Sequence, residues 1–176
     1  MSTTKWVIDP THSEIGFKVK HMMFTNVSGK FQKFDAAIVA EGDDFENADI
    51  EFTGAIDSIS TGNADRDGHL LSADFFDAAK YPTIEFKATS VKKEDEGEYQ
   101  ISGDLTLHGF TKPVTLAAEY SGQMKDPWGN TKAGFALSGK INRKDWGLNW
   151  NSALETGGVL VGEEVKLLIE LQFIKQ

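Results

Sequence analysis

Apolar and polar residues alternate along most of this chain, as they do in strands that have one face on a core and the other in water. In one such stretch, Ile15, Phe17, Val19 and His21 occupy every second position. Eight segments follow the pattern: 15–21, 34–40, 50–56, 84–88, 101–107, 114–120, 135–141 and 165–173. One-sided alternation favours antiparallel pairing. The sequence therefore predicts a mainly β protein whose eight strands form a sandwich or a closed barrel.

One segment, residues 63–80, breaks this pattern and has no period of two. Asn63 and Ser72 are residue types that commonly cap helix N-termini, and Pro82 ends any helix that precedes it. We expect two short helical pieces, at about 64–71 and 73–79. Because no linker, repeat or low-complexity run interrupts the chain, residues 1–176 are predicted to form a single domain.

Composition narrows the classes of ligand. The chain has 176 residues, with 18 Lys and Arg against 27 Asp and Glu, so its formal net charge is −9. This balance argues against nucleic acid and against anionic membranes as partners, since both attract a basic face. The 12 Phe against 3 Tyr give an aromatic surface with few hydroxyls. Inside a small barrel, such a surface suits an apolar chain better than a polar metabolite.

Several kinds of site are not indicated. There is no cysteine, and the histidines, His12, His21, His69 and His108, do not stand at metal-ligand spacings. No nucleophile motif, phosphate-binding loop or dinucleotide fingerprint occurs. We expect no metal, no cofactor and no enzymatic activity. No apolar leader follows Met1, and no apolar run is long enough to span a bilayer, so we expect a cytoplasmic protein without stable membrane insertion.

The densest polar cluster is Asp65, Arg66, Asp67 and His69. It is either a head-group or catalytic cluster, or a network of ion pairs and caps that holds the helical segment on the barrel. The only other arginine is Arg143. Because arginines are scarce, we expect both to meet carboxylates, with Asp65, Asp67 and Asp145 as the candidates.

Five longer motifs resemble those of the YceI-like family. They are the opening 6–13 (Trp-Val-Ile-Asp-Pro-Thr-His-Ser), 58–63 (Ser-Ile-Ser-Thr-Gly-Asn), 66–77 followed by 81–86, 103–114, and 142–147 (Asn-Arg-Lys-Asp-Trp-Gly). The resemblance implies an antiparallel eight-stranded lipocalin-like barrel with one or two short helices, which holds a polyisoprenoid or similar long-chain lipid. Members of this bacterial family are generally regarded as binding proteins, and many are periplasmic and dimeric, so a homodimer is an expectation too.

Strand parity on such a barrel gives candidate contacts. For the apolar tail these are Phe17, Val19, Phe86, Leu105, Leu116, Phe135 and Leu137, and for the polar head Arg66, His69, Asn142 and Arg143. The leading interpretation is a carrier or store for an isoprenoid or fatty-chain lipid. One alternative is an enzyme that acts on an isoprenoid lipid with Asp65, Asp67 and His69. Another is an interaction module with an exposed apolar patch at Trp128, Trp146, Leu148 and Trp150, a cluster that would equally suit a dimer face or the cavity mouth.

Overall fold

A computed structural model describes residues 3–22, 24–42, 44–151 and 160–176, and most of these lie in antiparallel strands. Short 3-10 turns occupy Pro10–His12, Ile56–Ser58 and Arg143–Trp146. The single α-helix in the described part of the chain is α1 (Ala64–Leu71). The strands are β1 (Thr3–Ile8), β2 (Glu14–His21), β3 (Thr25–Phe31), β4 (Phe34–Glu41), β5 (Asp44–Ala55), β6 (Ile59–Ser60), β7 (Thr83–Asp95), β8 (Glu98–Leu107), β9 (Phe110–Lys125), β10 (Thr131–Asn142) and β11 (Val161–Lys175).

Eight strands close into a barrel, in the order β1, β4, β5, β7, β8, β9, β10 and β11, with β11 pairing back to β1. The closing pairs include Ile8 with Phe173. β2 continues from β1 after the first 3-10 turn and pairs with the other half of β11. β3 pairs with β2, and the two-residue β6 pairs with β3. The predicted antiparallel eight-stranded barrel is confirmed.

Two features differ from the sequence-based prediction. The segments of β1, β3 and β6 were not predicted as strands, because β1 begins with three polar residues, β3 has only two apolar side chains, Val27 and Phe31, and β6 spans only two residues. The helix at 64–71 is confirmed, and the Asn63 side chain accepts a hydrogen bond from the Arg66 N–H at 3.0 Å. The predicted helix at 73–79 is wrong. Ser72 takes an extended conformation and ends α1, and turns then fold the chain back, with the Phe76 N–H donating to the Leu70 carbonyl at 2.9 Å.

The barrel is solid at one end. Trp6, Phe45, Phe135 and Phe173 belong to one buried cluster there, and the Phe45 and Phe135 ring centroids lie 5.0 Å apart in an edge-to-face contact. We call this the packed end. The opposite end carries α1, the 3-10 turn at Arg143–Trp146 and the β2–β3 and β8–β9 hairpins. None of the helices that the structure describes is long and apolar enough to cross a bilayer.

Candidate functional site

A cavity of about 370 Å³ occupies the barrel interior beyond the packed end. Its wall consists mainly of Ile, Leu, Val and Phe side chains on the inward faces of the strands. Inward residues at the packed end are buried, whereas Phe17, Val19, Leu137 and Leu167 are half-buried because they border open space. The volume falls in the range of about 300–1,000 Å³ that is usual for small-molecule sites.

Inward-facing glycines help to keep this interior open. Gly29 lies on β3 opposite Phe17 of β2, and a Cβ added there would lie 2.4 Å from the Phe17 ring. A Cβ added at Gly103 would lie 2.6 Å from the Phe86 ring and 2.5 Å from the Lys87 carbonyl oxygen. Both rings therefore lie against the barrel wall and do not reach towards its axis. The signal for this role in the sequence is a glycine of inward parity next to a phenylalanine.

Most of the predicted tail contacts lie in the cavity wall. They are Phe17, Val19, Phe86, Leu105, Leu116 and Leu137. Phe135 has the same inward parity as Leu137 but lies at the packed end, where its ring stacks on Tyr120 with centroids 5.1 Å apart. The structure thus places Phe135 in the solid core. The sequence pattern could not predict this, because parity gives the face of a strand on which a residue lies and not its level along the barrel axis.

The ionisable residues of the wall are all basic. They are Lys20, His21, Arg66, His69 and Arg143. The described wall contains no Asp or Glu, although Asp and Glu outnumber Lys and Arg by 27 to 18 in the whole chain. Among the predicted head contacts, Arg66, His69 and Arg143 thus border the cavity. Asn142 does not: it is exposed, and its side chain caps the 3-10 turn by accepting from the Lys144 N–H at 3.0 Å.

Arg143 is buried and is bonded to backbone carbonyls. Its guanidinium donates to the carbonyl oxygens of Leu148, Val161 and Gly162, the last at 2.8 Å. Burial lowers the pKa of this group, and the negative charge of Glu163 opposes that shift; an arginine stays charged nevertheless. Arg143 therefore holds together the two chain segments that border residues 152–159, which lie outside the described residues.

The cluster on α1 is largely internal to its own segment. The Arg66 guanidinium donates to the Thr61 hydroxyl and carbonyl, both at 2.7 Å, and Asp67 accepts from the Thr61 N–H at 2.9 Å. His69 pairs with Asp74 at 2.9 Å, and its ring meets that of Trp150 edge-to-face at 4.7 Å. Asp67 and His69 thus engage different partners.

The expected arginine–carboxylate pairs are wrong for the described part of the chain. The ion pairs found there involve Lys or His, and neither Arg66 nor Arg143 lies within 4.0 Å of a carboxylate oxygen. Both cations reach neutral oxygens because backbone carbonyls lie closer than any carboxylate. The cavity border thus carries two arginine charges that no described acidic residue neutralises directly.

The proposed apolar surface patch is also wrong. Trp146 and Leu148 are buried, and Trp146 Nε1 donates to the Leu105 carbonyl at 2.9 Å. Trp150 is half-buried in the cavity wall, whereas Trp128 lies 83% exposed in the turn between β9 and β10. Among the described residues, no group of three His, Asp or Glu side chains is placed to hold a metal ion.

A polar cluster closes the packed end. Lys132 Nζ and His12 Nδ1 each lie 2.8 Å from Asp9 Oδ2, and Thr11 donates to Oδ1. The hydrogen bond from the Lys132 ammonium holds the pKa of the Asp9 carboxyl far below its usual range, with Thr11 and His12 adding to the effect against the opposing influence of burial. This network joins β10 to the turn between β1 and β2.

Comparisons with known proteins agree on one family. The sequence model described as "YceI-like domain" matches residues 6–173. A UPF0312 protein of Staphylococcus aureus is 38% identical over 171 residues, which are 97% of each chain. A crystal structure of the Campylobacter jejuni YceI protein is 33% identical with a TM-score of 0.75, over 89% of this chain and 90% of that one. A polyisoprenoid-binding domain from Saccharophagus degradans shares the fold at 15% identity and a TM-score of 0.66, over 97% and 98% of the chains.

Proposed function

This chain belongs to the YceI-like family, and from that premise we propose that it binds a polyisoprenoid or similar long-chain lipid in its barrel and carries or stores it. The apolar tail would occupy the cavity beyond the packed end. The polar head would lie near Arg66, His69 and Arg143. The proposal assigns the chain a binding role and no reaction, and needs no cofactor.

The observation that carries this proposal is the chemistry of the cavity wall. Its strand residues are almost wholly aliphatic or aromatic, so a bound chain would gain from apolar burial and would find few hydrogen-bond partners. Each buried methylene contributes about 0.8 kcal/mol. Several isoprene units therefore offset the ordering cost of binding. The polyisoprenoid-binding name of the Saccharophagus degradans domain, which shares this fold, supports the same ligand class.

The border of the cavity supports a ligand with a polar head that accepts hydrogen bonds. All ionisable wall residues are basic, and neither arginine forms an ion pair with a described carboxylate. A phosphate or carboxylate head would be attracted there, because guanidinium groups bind such anions well. An apolar chain with a cationic head would be repelled.

Two neighbouring leucines of β11 give a matched test. Leu167 lines the cavity, whereas Leu168 lies on the outer face of the same strand, 45% exposed. Leu167→Trp fills part of the interior, and Leu168→Trp makes the same chemical change outside. Delipidated protein and both variants are mixed with a long polyprenyl phosphate in mild detergent, and bound chain is counted by native mass spectrometry.

We expect wild type and Leu168→Trp to bind one chain each, and Leu167→Trp to bind at least about tenfold more weakly because overpacking closes the site. Circular dichroism checks that both variants are folded. Equal binding by the two variants would contradict the cavity as the site, and absence of binding to all three proteins would contradict the function itself.

A further inference from the structure

Lysines form a registered row on the outer face of the barrel. Lys140 on β10 lies opposite Lys166 on β11, and Lys166 lies opposite Lys18 on β2. Lys20 follows two residues after Lys18, and Lys30 lies on the same outer face of β3. We call these five residues the lysine face. It covers the outside of four adjacent strands, on the half of the barrel that faces the cavity mouth.

The charges of this face are not neutralised within the described structure. None of the five lysines forms an ion pair there, whereas Lys87, Lys93, Lys132 and Lys144 do. Side chains directly opposite on neighbouring strands have Cβ atoms about 4.5–5.5 Å apart, and like charges at that spacing are destabilising. The row therefore has a folding cost that an external anion would remove.

Glutamates form a second registered row nearer the packed end. Glu98 of β8 lies opposite Glu119 of β9, and Glu170 of β11 lies opposite Glu14 of β2. Ala136 of β10 lies between the two pairs, opposite both Glu119 and Glu170. Along β11, Glu170 lies four residues beyond Lys166, or about 13 Å. On these strands the outer face is thus positive near the mouth and negative nearer the packed end, with Glu164 bordering the lysine face. Elsewhere at the mouth, the α1 segment carries the acidic residues Asp65, Asp67 and Asp74.

An apolar hairpin tip projects beside the lysine face. Met22 and Phe24, in the turn between β2 and β3, are 39% and 82% exposed. The Met22 N–H donates to the Leu160 carbonyl at 2.8 Å, which holds the tip next to β11. His21 and Leu160 both belong to the cavity wall, so the tip lies at the cavity mouth.

We propose that the lysine face and the β2–β3 hairpin tip dock on the surface of a bilayer that contains anionic phospholipid, with the cavity mouth towards the lipid. Lysines are attracted to anionic headgroups, and exposed Phe and Met side chains partition into the interface. The glutamate row is repelled by the same surface, so the two rows together set the orientation. The negative net charge does not prevent docking, because the screening length in physiological salt is about 8 Å, shorter than the distance between the rows.

Docking in this orientation lets an apolar chain pass between bilayer and cavity without crossing water. This proposal is opposed to the expectation, based on net charge, that anionic membranes are not partners, and the vesicle experiment decides between the two. Of the lysine face and the tip, only Lys20 also borders the cavity, and the charge variants below leave it unchanged, so membrane binding is tested without altering the cavity wall. Membrane docking and lipid binding are therefore tested by independent experiments, and either can be overturned without the other.

The test is flotation of the full chain with phospholipid vesicles. Vesicles of phosphatidylcholine alone are compared with vesicles that contain about one third phosphatidylglycerol. We expect binding to the anionic vesicles only, and loss of binding when salt is raised to about 0.5 M, where charges are screened within a few ångströms. Absence of binding to anionic vesicles at low salt would overturn the proposal.

Charge variants separate the lysine face from the rest of the surface. Lys18→Glu, Lys140→Glu and Lys166→Glu are combined, and the control combines Lys5→Glu, Lys92→Glu and Lys125→Glu, exposed residues outside the lysine face. The change in net charge is identical in the two proteins. We expect the first to bind anionic vesicles at least about tenfold more weakly and the control to bind within about twofold of wild type. Equal losses would overturn the proposal.

The hairpin tip has its own matched control. Phe24→Ser and Trp128→Ser each remove a ring that is more than 80% exposed, the first at the mouth and the second in the turn between β9 and β10. We expect only Phe24→Ser to weaken binding to anionic vesicles, by about threefold or more. Equal binding by the two variants would overturn the role of the tip. Binding to an acidic polypeptide such as polyglutamate, with none to vesicles, would overturn the bilayer as the partner in favour of an acidic protein.

Discussion

A Cβ added at Gly29 would lie 2.4 Å from the Phe17 ring, which is closer than real Cβ contacts come. The absence of that one atom lets the ring lie flat against the wall, and Gly103 does the same for Phe86. At the residue scale, the cavity therefore depends on small residues beneath large ones as much as on the apolar character of its wall.

Gly29→Ala is expected to displace the Phe17 ring into the cavity. Overpacking of this kind costs about 1–3 kcal/mol of stability, and the displaced ring also reduces the volume of the cavity. We expect a lower melting temperature and weaker binding of a polyprenyl phosphate, measured by thermal unfolding and native mass spectrometry. Gly68→Ala is the control, because a Cβ at that position of α1 would have no neighbour within 4 Å. Unchanged binding by Gly29→Ala would contradict this account of the wall.

Arg66→Gln tests the preference for an anionic head. The Arg66 side chain is exposed at the cavity border, so its replacement should leave the barrel folded. A charged hydrogen bond to a phosphate contributes about 1.5–3 kcal/mol. We expect binding of a polyprenyl phosphate to weaken about tenfold or more, with the corresponding uncharged polyprenol bound as before. A parallel loss for both ligands would argue against a head-group role.

Asp9→Asn tests the network at the packed end. Because Lys132 lowers the folded-state pKa of Asp9, the carboxylate stabilises the fold fully above its unfolded pKa of about 3.9 and less as the pH falls below that value. We expect the variant to lose about 2 kcal/mol at neutral pH, and the difference from wild type to narrow towards pH 3. Urea unfolding at several pH values measures this. Asp49→Asn, at an exposed position of β5, is the control. If the stability difference between Asp9→Asn and wild type widens in acid, the stabilising role of the Asp9 carboxylate is contradicted.

At the scale of elements, register decides which side chains meet. Alternation in the sequence was enough to predict most of the strands and the face on which each residue lies. It could not predict that Lys140, Lys166 and Lys18 stand abreast, because register depends on turns and bulges such as the one between Val161 and Val165. The same limit explains Phe135, which lies on the inward face of β10 as predicted but at the level of the packed end and not of the cavity.

Local capping was easier to predict than tertiary partners. Asn63 marked the start of α1 correctly, because a cap involves only residues nearby in sequence. The partners of Arg66 and Arg143 depend on chain segments that approach in space, and carbonyl oxygens took the place of the expected carboxylates. Strands β1 and β3 were missed because their pairing with neighbours, not their own polar residues, makes them strands.

Lys166→Glu tests whether the lysines of the registered row repel one another. The substitution replaces two like-charge neighbours, Lys140 and Lys18, by two opposite-charge pairs. Cross-strand pairs contribute about 0.2–1 kcal/mol, so we expect the melting temperature to rise by a few degrees. Lys92→Glu, which faces Gln100, should have little effect. A Lys166→Glu protein that is less stable than wild type would show that the lysines do not repel one another.

At the scale of the whole molecule, the barrel is divided along its axis. One end is filled by aromatic rings and carries the glutamate row, and the other is hollow, bordered by basic side chains and flanked by the lysine face. This division suits a protein that takes up an apolar chain through one end only. The homodimer and the cytoplasmic location expected from the sequence stay predictions.

The most direct measurement of the central claim is the content of the cavity in protein made by its native cells. The protein is purified without detergent, extracted with organic solvent, and the extract is analysed by mass spectrometry, with Leu167→Trp as the matched blank. We expect a long isoprenoid-type chain in near-equal molar amount with wild-type protein and its loss from Leu167→Trp. Extracts that contain no such chain, from a wild-type protein that also fails to take one up after delipidation, would contradict it.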